Sequence, residues 1–164
     1  MTPIKRRAFL AGGIAASASM PGLAGAMNAK ADTGAAFEVT RSPEEWREML
    51  SDIEFEVMRE NGTERAFTSP LHDKKTPGTY HCRGCDLALY SSEHKFDSGT
   101  GWPSFYKALD DAVATRPDRS WFITRTEVHC RRCGSHLGHI FDDGPPPTGK
   151  RHCINGVSLV FQPA

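Results

Sequence analysis

The segments Cys82-Arg83-Gly84-Cys85 and Cys130-Arg131-Arg132-Cys133 contain four of the five cysteines in this 164-residue chain. Each segment offers two thiolates on a tight turn, and four thiolates form the tetrahedral ligand set that a structural Zn²⁺ ion prefers. The 44 residues between the two pairs exceed the roughly 15 to 20 of a common zinc ribbon. We therefore predict one structural Zn²⁺ ion that is bound by Cys82, Cys85, Cys130 and Cys133 and staples two distant hairpins together.

Two other interpretations of these four cysteines stay open. An exported chain can form two disulfides, and a single Cys-x-x-Cys turn is typical of thioredoxin-like redox sites. Two matched turns argue against a lone redox motif. Gly84 and Gly134 are expected to ease the backbone around the sulfur atoms.

The first 26 residues have the composition of an export signal. Lys5-Arg6-Arg7 precedes Phe9-Leu10 and a weakly apolar stretch too short to span a membrane, and Ala24-Gly25-Ala26 fits a cleavage site. The arginine pair is similar to a twin-arginine signal, whose pathway carries folded proteins, and an ordinary secretory signal is the alternative. We predict a periplasmic or otherwise exported protein that captures zinc before export, while its thiols are still reduced.

The remainder of the chain fits one domain of ordinary size. Residues 27–36 are small and polar and predict a flexible lead-in, so the domain is expected to span residues 37–164. Removal of residues 1–26 takes away three basic and no acidic side chains, which leaves a net charge of about −3. This charge excludes a basic footprint for nucleic acid, and we expect a monomer without a stable membrane span.

Helical signals precede strand signals along this domain. Ser42-Pro43-Glu44-Glu45 supplies an N-cap, a first-turn proline and a capping-box glutamate, and Ser51 with Glu54 repeats that spacing. Two short helices are predicted, and Asn61-Gly62 ends the second. Strand-like segments follow at residues 80–82, 87–90, 121–128 and 153–161. The pattern predicts an α+β fold in which short N-terminal helices pack on an antiparallel β core.

The proline-rich segment at residues 142–147 predicts an exposed loop. Pro145, Pro146 and Pro147 cannot donate hydrogen bonds to a sheet. We interpret the preceding Asp142 and Asp143 as turn formers.

Cys153 is the fifth cysteine and has no cysteine partner left. It lies in Arg151-His152-Cys153-Ile154-Asn155, and on a strand Arg151, Cys153 and Asn155 share one face. A cation and an amide beside a thiol favour the thiolate, whereas the alternative is a small buried hydrophobic residue. Because an unpaired cysteine in an exported protein is open to oxidation, we predict a reactive nucleophile.

Two further motifs supply groups for a pocket. In His136-Leu137-Gly138-His139-Ile140-Phe141, a bulge at Gly138 would turn both imidazoles toward one site, although either histidine is also suited to bind zinc or to face solvent. In the segment from Lys95 to Phe105, two glycines flank Thr100 and present Trp102. Trp102 is either a core residue or the apolar wall that a thioether methyl group needs.

Together these motifs resemble the B-type peptide-methionine (R)-S-oxide reductases over roughly residues 40–162. The resemblance implies an α+β domain with two antiparallel sheets and a thiol-dependent reduction of methionine-R-sulfoxide, mostly within proteins. It implies that Cys153 is the nucleophile and that the four paired cysteines bind zinc. The residues that the resemblance assigns to catalysis beside Cys153 are His139, His136 and Asn155, and those assigned to substrate binding are Trp102, Phe141 and Arg151.

The chain departs from the two-cysteine members of that family at Thr100, where they have a resolving cysteine. Without a second free thiol, the sulfenic acid formed on Cys153 is expected to be reduced by an external thiol such as a thioredoxin-like partner. His152 also stands where a tyrosine or phenylalanine is usual.

Two competing functions remain open at this point. A zinc-ribbon binding module would not need Cys153 or His139, since a fold does not fix a function. An acyl-transfer enzyme would use Cys153, His139 and Asn155 as a Cys-His-Asn triad.

Overall fold

The computed structural model describes residues 37–119 and 124–164, so the predicted signal (residues 1–26) and lead-in (residues 27–36) lie outside the described residues. The helices are α1 (Pro43–Met49) and α2 (Asp52–Glu60). The strands are β1 (Gly78–Cys82), β2 (Ala88–Ser91), β3 (Lys95–Phe96), β4 (Ser104–Phe105), β5 (Val113–Asp118), β6 (Arg125–Cys130), β7 (His136–Phe141), β8 (Arg151–Ile154) and β9 (Leu159–Pro163). Short 3₁₀ turns lie at Ser92–His94 and Gly156–Ser158.

Both helices begin as their capping motifs predict. The Ser42 hydroxyl accepts a hydrogen bond from the Glu45 backbone N–H at 3.2 Å, and the Glu45 carboxylate accepts one from the Ser42 N–H at 2.7 Å. The capping box repeats at Ser51 and Glu54. Asn61 ends α2 in the left-handed conformation, with φ 58°. The prediction of two short helices is therefore confirmed.

The helices bury one face against the sheets. α1 contributes Trp46, whose ring centroid lies 4.8 Å from the Arg41 guanidinium group and 4.7 Å from that of Arg59. α2 buries Phe55, Val57 and Met58 and contacts β7 and the 3₁₀ turn after β8. The two guanidinium groups can lie beside this buried ring because the face of an aromatic ring attracts cations.

Two antiparallel sheets form the rest of the described domain. Their strand orders are β2-β1-β9 and β3-β4-β8-β7-β6-β5. The rings of Tyr80 and Tyr90 from the small sheet pack against Phe105 from the large sheet, with centroids 5.0 and 4.4 Å apart. The predicted α+β architecture with two antiparallel sheets is confirmed.

The prediction of one continuous strand over residues 153–161 is wrong. β8 ends at Ile154 and β9 begins at Leu159, and these two strands belong to different sheets. The break has a physical cause, because the buried Glu64 carboxylate accepts hydrogen bonds from the backbone N–H groups of Gly156 and Val157. Those two donors are thereby withdrawn from any sheet ladder.

Other strand predictions hold with shifted bounds. The segment predicted at residues 121–128 is described from Arg125 to Cys130, and residues 120–123 lie outside the described part. The predicted proline-rich loop does connect β7 to β8 and is largely exposed. In the described part of the chain, neither helix has the length and hydrophobicity that crossing a membrane requires.

Candidate active site and metal site

The four paired cysteines converge on one point between the two sheets. All four sulfur atoms lie within 4.8 Å of one another, and the shortest distances are 3.6 Å for Cys82 to Cys133 and 3.5 Å for Cys85 to Cys130. Sulfur atoms at about 2.3 Å from a tetrahedral Zn²⁺ ion are about 3.8 Å apart, whereas a disulfide bond is about 2.0 Å long. The cluster therefore has the dimensions of a four-cysteine metal site and not of two disulfides.

The two cysteine turns reach the same shape with different residues. After the first turn the Asp86 N–H donates to the Cys82 carbonyl at 2.8 Å, and after the second the Gly134 N–H donates to the Cys130 carbonyl at 2.9 Å. Asp86 and Gly134 are both left-handed, with φ 58° and 68°. Gly84 serves another purpose, because a Cβ there would lie 3.0 Å from the Ser135 hydroxyl oxygen and 3.2 Å from the Trp46 ring.

The environment of the cluster suits a closed structural site. Cys82, Cys130 and Cys133 are almost fully buried and Cys85 is half-buried, and four sulfur ligands fill the tetrahedral coordination of a structural Zn²⁺ ion. Hydrogen bonds with the other three sulfur atoms lower the pKa of Cys133, whereas hydrogen bonds with Cys130, Cys133 and Cys85 raise the pKa of Cys82. Four buried thiolates at this spacing repel one another, and a bound divalent cation removes that cost. The residues present thus fit a Zn²⁺ ion.

Cys153 lies on β8, in the interior of the large sheet, and follows the last of the four paired cysteines by 20 residues. Its β8 position is opposite Ser104 of β4 on one side and His139 of β7 on the other. It opens on a cavity of about 150 Å³ that is also lined by Trp102, His139, Phe141 and Asn155. Pockets for drug-sized ligands measure about 300–1,000 Å³, so this cavity suits one side chain of a larger molecule.

The electrostatics of Cys153 differ from the expectation of a simple thiolate. Burial raises the pKa of the thiol, and the Thr100 hydroxyl and the Arg151 guanidinium lower it without cancelling that effect. The side-chain amide of Asn155 does not act on the sulfur. Its Nδ2 donates to the Leu137 carbonyl at 3.1 Å, and its Oδ1 accepts from the Glu64 N–H at 3.0 Å. Asn155 therefore anchors the end of β8.

The predicted bulge in β7 is present and brings the rings of the two histidines close together, but it does not turn both of them toward one cavity. His129 of β6 pairs with His136, whereas the preceding β6 residue, Val128, pairs with Gly138, so Leu137 is the extra residue that β7 accommodates. Residues three apart on a regular strand face opposite sides, and the bulge cancels that alternation. The ring centroids of His136 and His139 are 5.4 Å apart.

The two histidines have different partners and different surroundings. His139 lines the cavity, and its Nε2 lies 2.8 Å from Asp118 Oδ2. Burial lowers the pKa of His139, and the hydrogen bond with Asp118 partly opposes this. His136 is 1% exposed and is not among the described residues that line the cavity. Its Nδ1 lies 2.8 Å from Glu127 Oε1, and its Nε2 has no hydrogen-bond partner in residues 37–119 and 124–164.

Glu127 organises the side of the sheet next to His136. Its carboxylate also pairs with Arg116 at 2.7 Å and with His129 at 3.1 Å. Burial raises the pKa of Glu127, but the hydrogen bonds with His129 and His136 and the charge of Arg116 outweigh it and lower the pKa to about 2. Glu127 is therefore ionised whenever the domain is folded near neutral pH, and it favours a proton on Nδ1 of His136.

Of the three residues predicted to bind substrate, two line the cavity and one holds a lining residue in place. Trp102 and Phe141 both line the cavity, and the Trp102 indole N–H donates to the Glu64 carbonyl at 3.0 Å. Arg151 does not line it among the described residues. Its guanidinium makes two hydrogen bonds of 2.9 Å with the Asp143 carboxylate and lies 4.4 Å over the Phe141 ring. Arg151 therefore supports Phe141 from outside the cavity.

Sequence reasoning missed the carboxylates that hold these groups in place: Glu64, Asp118, Glu127 and Asp143. No motif marks them, because each acts on a residue from another element. Glu64 is 91 residues from Asn155 and 38 from Trp102. Asp143 was interpreted as a turn former. Its position in the loop between β7 and β8, next to the strand that carries Arg151, was the one available signal.

The SelR domain family model matches residues 50–163 of this chain. The chain belongs to the SelR domain family. It is 53% identical over 125 residues to the "Peptide methionine sulfoxide reductase MsrB" of Methanosarcina barkeri, covering 76% of this chain and 88% of that protein. The MsrB of Thiobacillus denitrificans is 55% identical over 120 residues, covering 73% and 91%. Membership in the MsrB enzymes, which the motifs predicted, is thereby confirmed.

A further relative and a solved structure are also similar to this chain. The MsrB of Pseudomonas putida is 52% identical over 128 residues, covering 77% of this chain and 96% of that protein. The crystal structure of the Mis18 "Yippee-like" domain aligns with 54% of this chain and 97% of that domain, at a TM-score of 0.44 and 16% identity.

Proposed function

We propose that the protein reduces methionine-R-sulfoxide residues in other proteins to methionine, with Cys153 as the nucleophile. The observation that carries this proposal is the cavity in which Cys153 meets His139, Trp102 and Phe141. Its volume suits one side chain, and its two aromatic walls suit the methyl group of a thioether. A protein substrate would place its oxidised methionine there and leave its backbone outside.

The reaction balances as a transfer of oxygen. The Cys153 thiolate attacks the electrophilic sulfur of the sulfoxide, and protonated His139 donates a proton to the sulfoxide oxygen, so that the product is a neutral sulfenic acid beside a neutral imidazole. Because Nε2 of His139 is committed to Asp118, its Nδ1 is the nitrogen left for the substrate. The methionine sulfur gains two electrons, the Cys153 sulfur loses two, and the oxygen ends as a sulfenic acid on Cys153.

The enzyme is proposed to be recycled by an external thiol. Thr100 lies 3.9 Å from the Cys153 sulfur and offers a hydroxyl, which cannot form a disulfide. The other four cysteines are gathered in the metal site. One external thiol condenses with the sulfenic acid to give a mixed disulfide and water, and a second releases Cys153. A thioredoxin-like dithiol supplies both.

Zinc, export and a monomeric state complete the proposal. The geometry of the four paired cysteines supports one structural Zn²⁺ ion, whose chemistry is to hold the two cysteine turns together. Support for export through the twin-arginine route, and hence for a periplasmic location, comes from the sequence of residues 1–26 alone.

The acyl-transfer alternative is less well supported. In a Cys-His-Asn triad the asparagine orients the histidine, but the Asn155 amide is occupied by Leu137 and Glu64, and His139 is held by Asp118. The binding-module alternative does not explain membership in an enzyme family.

The test is turnover of the R and S epimers of a peptide methionine sulfoxide with dithiothreitol as reductant. Intact protein is expected to reduce the R epimer only, and Cys153→Ser is expected to abolish the reaction while zinc content and unfolding temperature stay unchanged. If zinc-loaded protein reduces neither epimer, the proposed function is wrong. Hydrolysis of a fluorescent ester by the same protein would favour acyl transfer.

A further inference from the structure

Three hydroxyl groups form a chain that ends at Cys153. Thr100 Oγ1 lies 3.9 Å from the Cys153 sulfur, and Ser98 Oγ lies 2.9 Å from Thr100 Oγ1. Ser98 Oγ is also 2.7 Å from Ser104 Oγ, which donates to the Trp102 carbonyl at 3.2 Å. The chain thus runs from the nucleophile to the backbone of the residue that forms the cavity wall.

The loop that carries Thr100 is built to hold this arrangement. The Asp97 carboxylate accepts a hydrogen bond from the Gly99 N–H at 2.9 Å. Gly99 and Gly101 are left-handed, with φ 71° and 87°, which a residue with a Cβ adopts only at a cost. Ser104 is fully buried in β4, opposite Cys153. Thr100 is therefore fixed between two glycines and a rigid strand.

Hydrogen counting gives the chain two states. Each hydroxyl has one hydrogen and two lone pairs. With a neutral thiol, Thr100 donates to Ser98, Ser98 donates to Ser104, and Ser104 donates to the Trp102 carbonyl. With a thiolate, Ser104 donates to Ser98, Ser98 to Thr100, and Thr100 to the sulfur. Three O–H groups rotate between these states and no O–H bond breaks.

We propose that Thr100 is a positioning residue whose hydroxyl donates to the Cys153 thiolate, and that Ser98 and Ser104 lock it in that orientation. This inference rests on the proposed role of Cys153 as nucleophile. Threonine is branched at Cβ, so rotation about χ1 would turn its methyl group toward the sulfur in place of its hydroxyl. The Ser98 hydroxyl, itself held by Ser104, prevents that rotation.

The direction of the effect follows from the other groups around Cys153. Burial raises the pKa of the thiol, and the Thr100 hydrogen bond is the first of the contributions that lower it. Arg151 on the same strand lowers it further, whereas the charge of Asp143 raises it. His139 on β7 and Arg125 on β6 face the same cavity. All four of these groups persist when the hydroxyl chain is altered, so variants of the chain isolate its contribution.

The experiment measures the pKa of Cys153 in zinc-loaded protein, from the pH dependence of its alkylation by iodoacetamide followed by mass spectrometry. Thr100→Val, which keeps the shape and loses the hydroxyl, is expected to raise this pKa by about one unit. Thr100→Ser should restore it. Ser98→Ala should raise it by a smaller amount, and the double variant Ser98→Ala/Thr100→Val should raise it no further than Thr100→Val alone.

The matched control is Thr148→Val. Thr148 lies in an exposed loop and its hydroxyl donates to the Tyr106 carbonyl, so the loss of this hydroxyl should leave the pKa of Cys153 unchanged. An unchanged pKa in Thr100→Val overturns the inference. An unchanged pKa in Ser98→Ala also overturns it, even if Thr100→Val shifts the pKa, because the serines would then have no part in orienting the Thr100 hydroxyl. Alkylation needs no turnover, so these outcomes do not depend on whether the reductase activity is found.

Discussion

Replacement of Gly138 by alanine is expected to move Cys153 away from His139. Gly138 in β7 pairs with Ile154 in β8. A Cβ at this position would lie 2.0 Å from the Cys153 carbonyl oxygen and 3.1 Å from the Ile154 Cα. Both are backbone atoms, so no side-chain rotation relieves the contact. β8 must move away by about 1 Å to reach the 3.0 Å at which Cβ contacts become tolerable.

This displacement is expected to lower both the stability and the activity of the protein. Overpacking of this kind costs about 1–3 kcal/mol of unfolding free energy. A displacement of about 1 Å between reacting groups can cost about 100-fold in rate. We therefore expect kcat/KM for the R-sulfoxide to fall by about 100-fold in Gly138→Ala, in protein that still folds and binds zinc.

The matched control is Gly149→Ala. Gly149 is left-handed, with φ 69°, and among residues 37–119 and 124–164 no atom outside its chain neighbours lies within 4 Å of a Cβ there. Its backbone strain should cost about 1 kcal/mol or more without moving Cys153. Turnover of the peptide sulfoxide and urea unfolding are measured on both variants. Near-normal activity in Gly138→Ala, or an equal loss in Gly149→Ala, would refute the close-contact argument.

Three further predictions follow from other contacts. Asp118→Asn removes the carboxylate that opposes the effect of burial on His139, so the pKa of His139 should fall. Because His139 must be protonated to donate, the pH above which kcat/KM declines should fall with it. An unchanged pH profile would exclude His139 as proton donor. A strong chelator should release one zinc ion per chain and lower the unfolding temperature by about 10 °C or more; purified protein without metal would contradict the assignment of the four paired cysteines as zinc ligands. Because Glu127 has its folded pKa depressed from 4.5 to about 2, its contribution is present above pH 4.5 and is lost as the pH falls toward 2. Urea unfolding of Glu127→Gln should show a flatter loss of stability in that range.

The sequence alone was sufficient where the determining contacts are local. Both helix starts were predicted because the capping-box glutamate accepts a hydrogen bond from the backbone N–H of the N-cap serine only three residues earlier. The cysteine turns were predicted for the same reason, since a Cys-x-x-Cys spacing brings two sulfur atoms together within one turn. Their convergence on one site required the count of four thiols, and the structure confirms it.

Residue type also identified the reacting groups of the site. Cys153, His139 and Trp102 were named from their motifs and Phe141 from the family resemblance, and the structure places all four around one cavity. The bulge at Gly138 was expected from the glycine itself, although the reason for the glycine is the Cys153 carbonyl of the neighbouring strand.

Tertiary structure decided which groups reach the cavity and how strongly they are charged. Sequence could not show that the chain breaks after Ile154, because the carboxylate that causes the break comes from Glu64, more than 90 residues earlier. Nor could it distinguish His139, which faces the cavity, from His136, which Glu127 holds in the interior. A motif records which chemical groups a chain carries. Their burial and their partners are fixed only when distant segments pack together, and these decide the pKa of Cys153 and the direction in which each imidazole points.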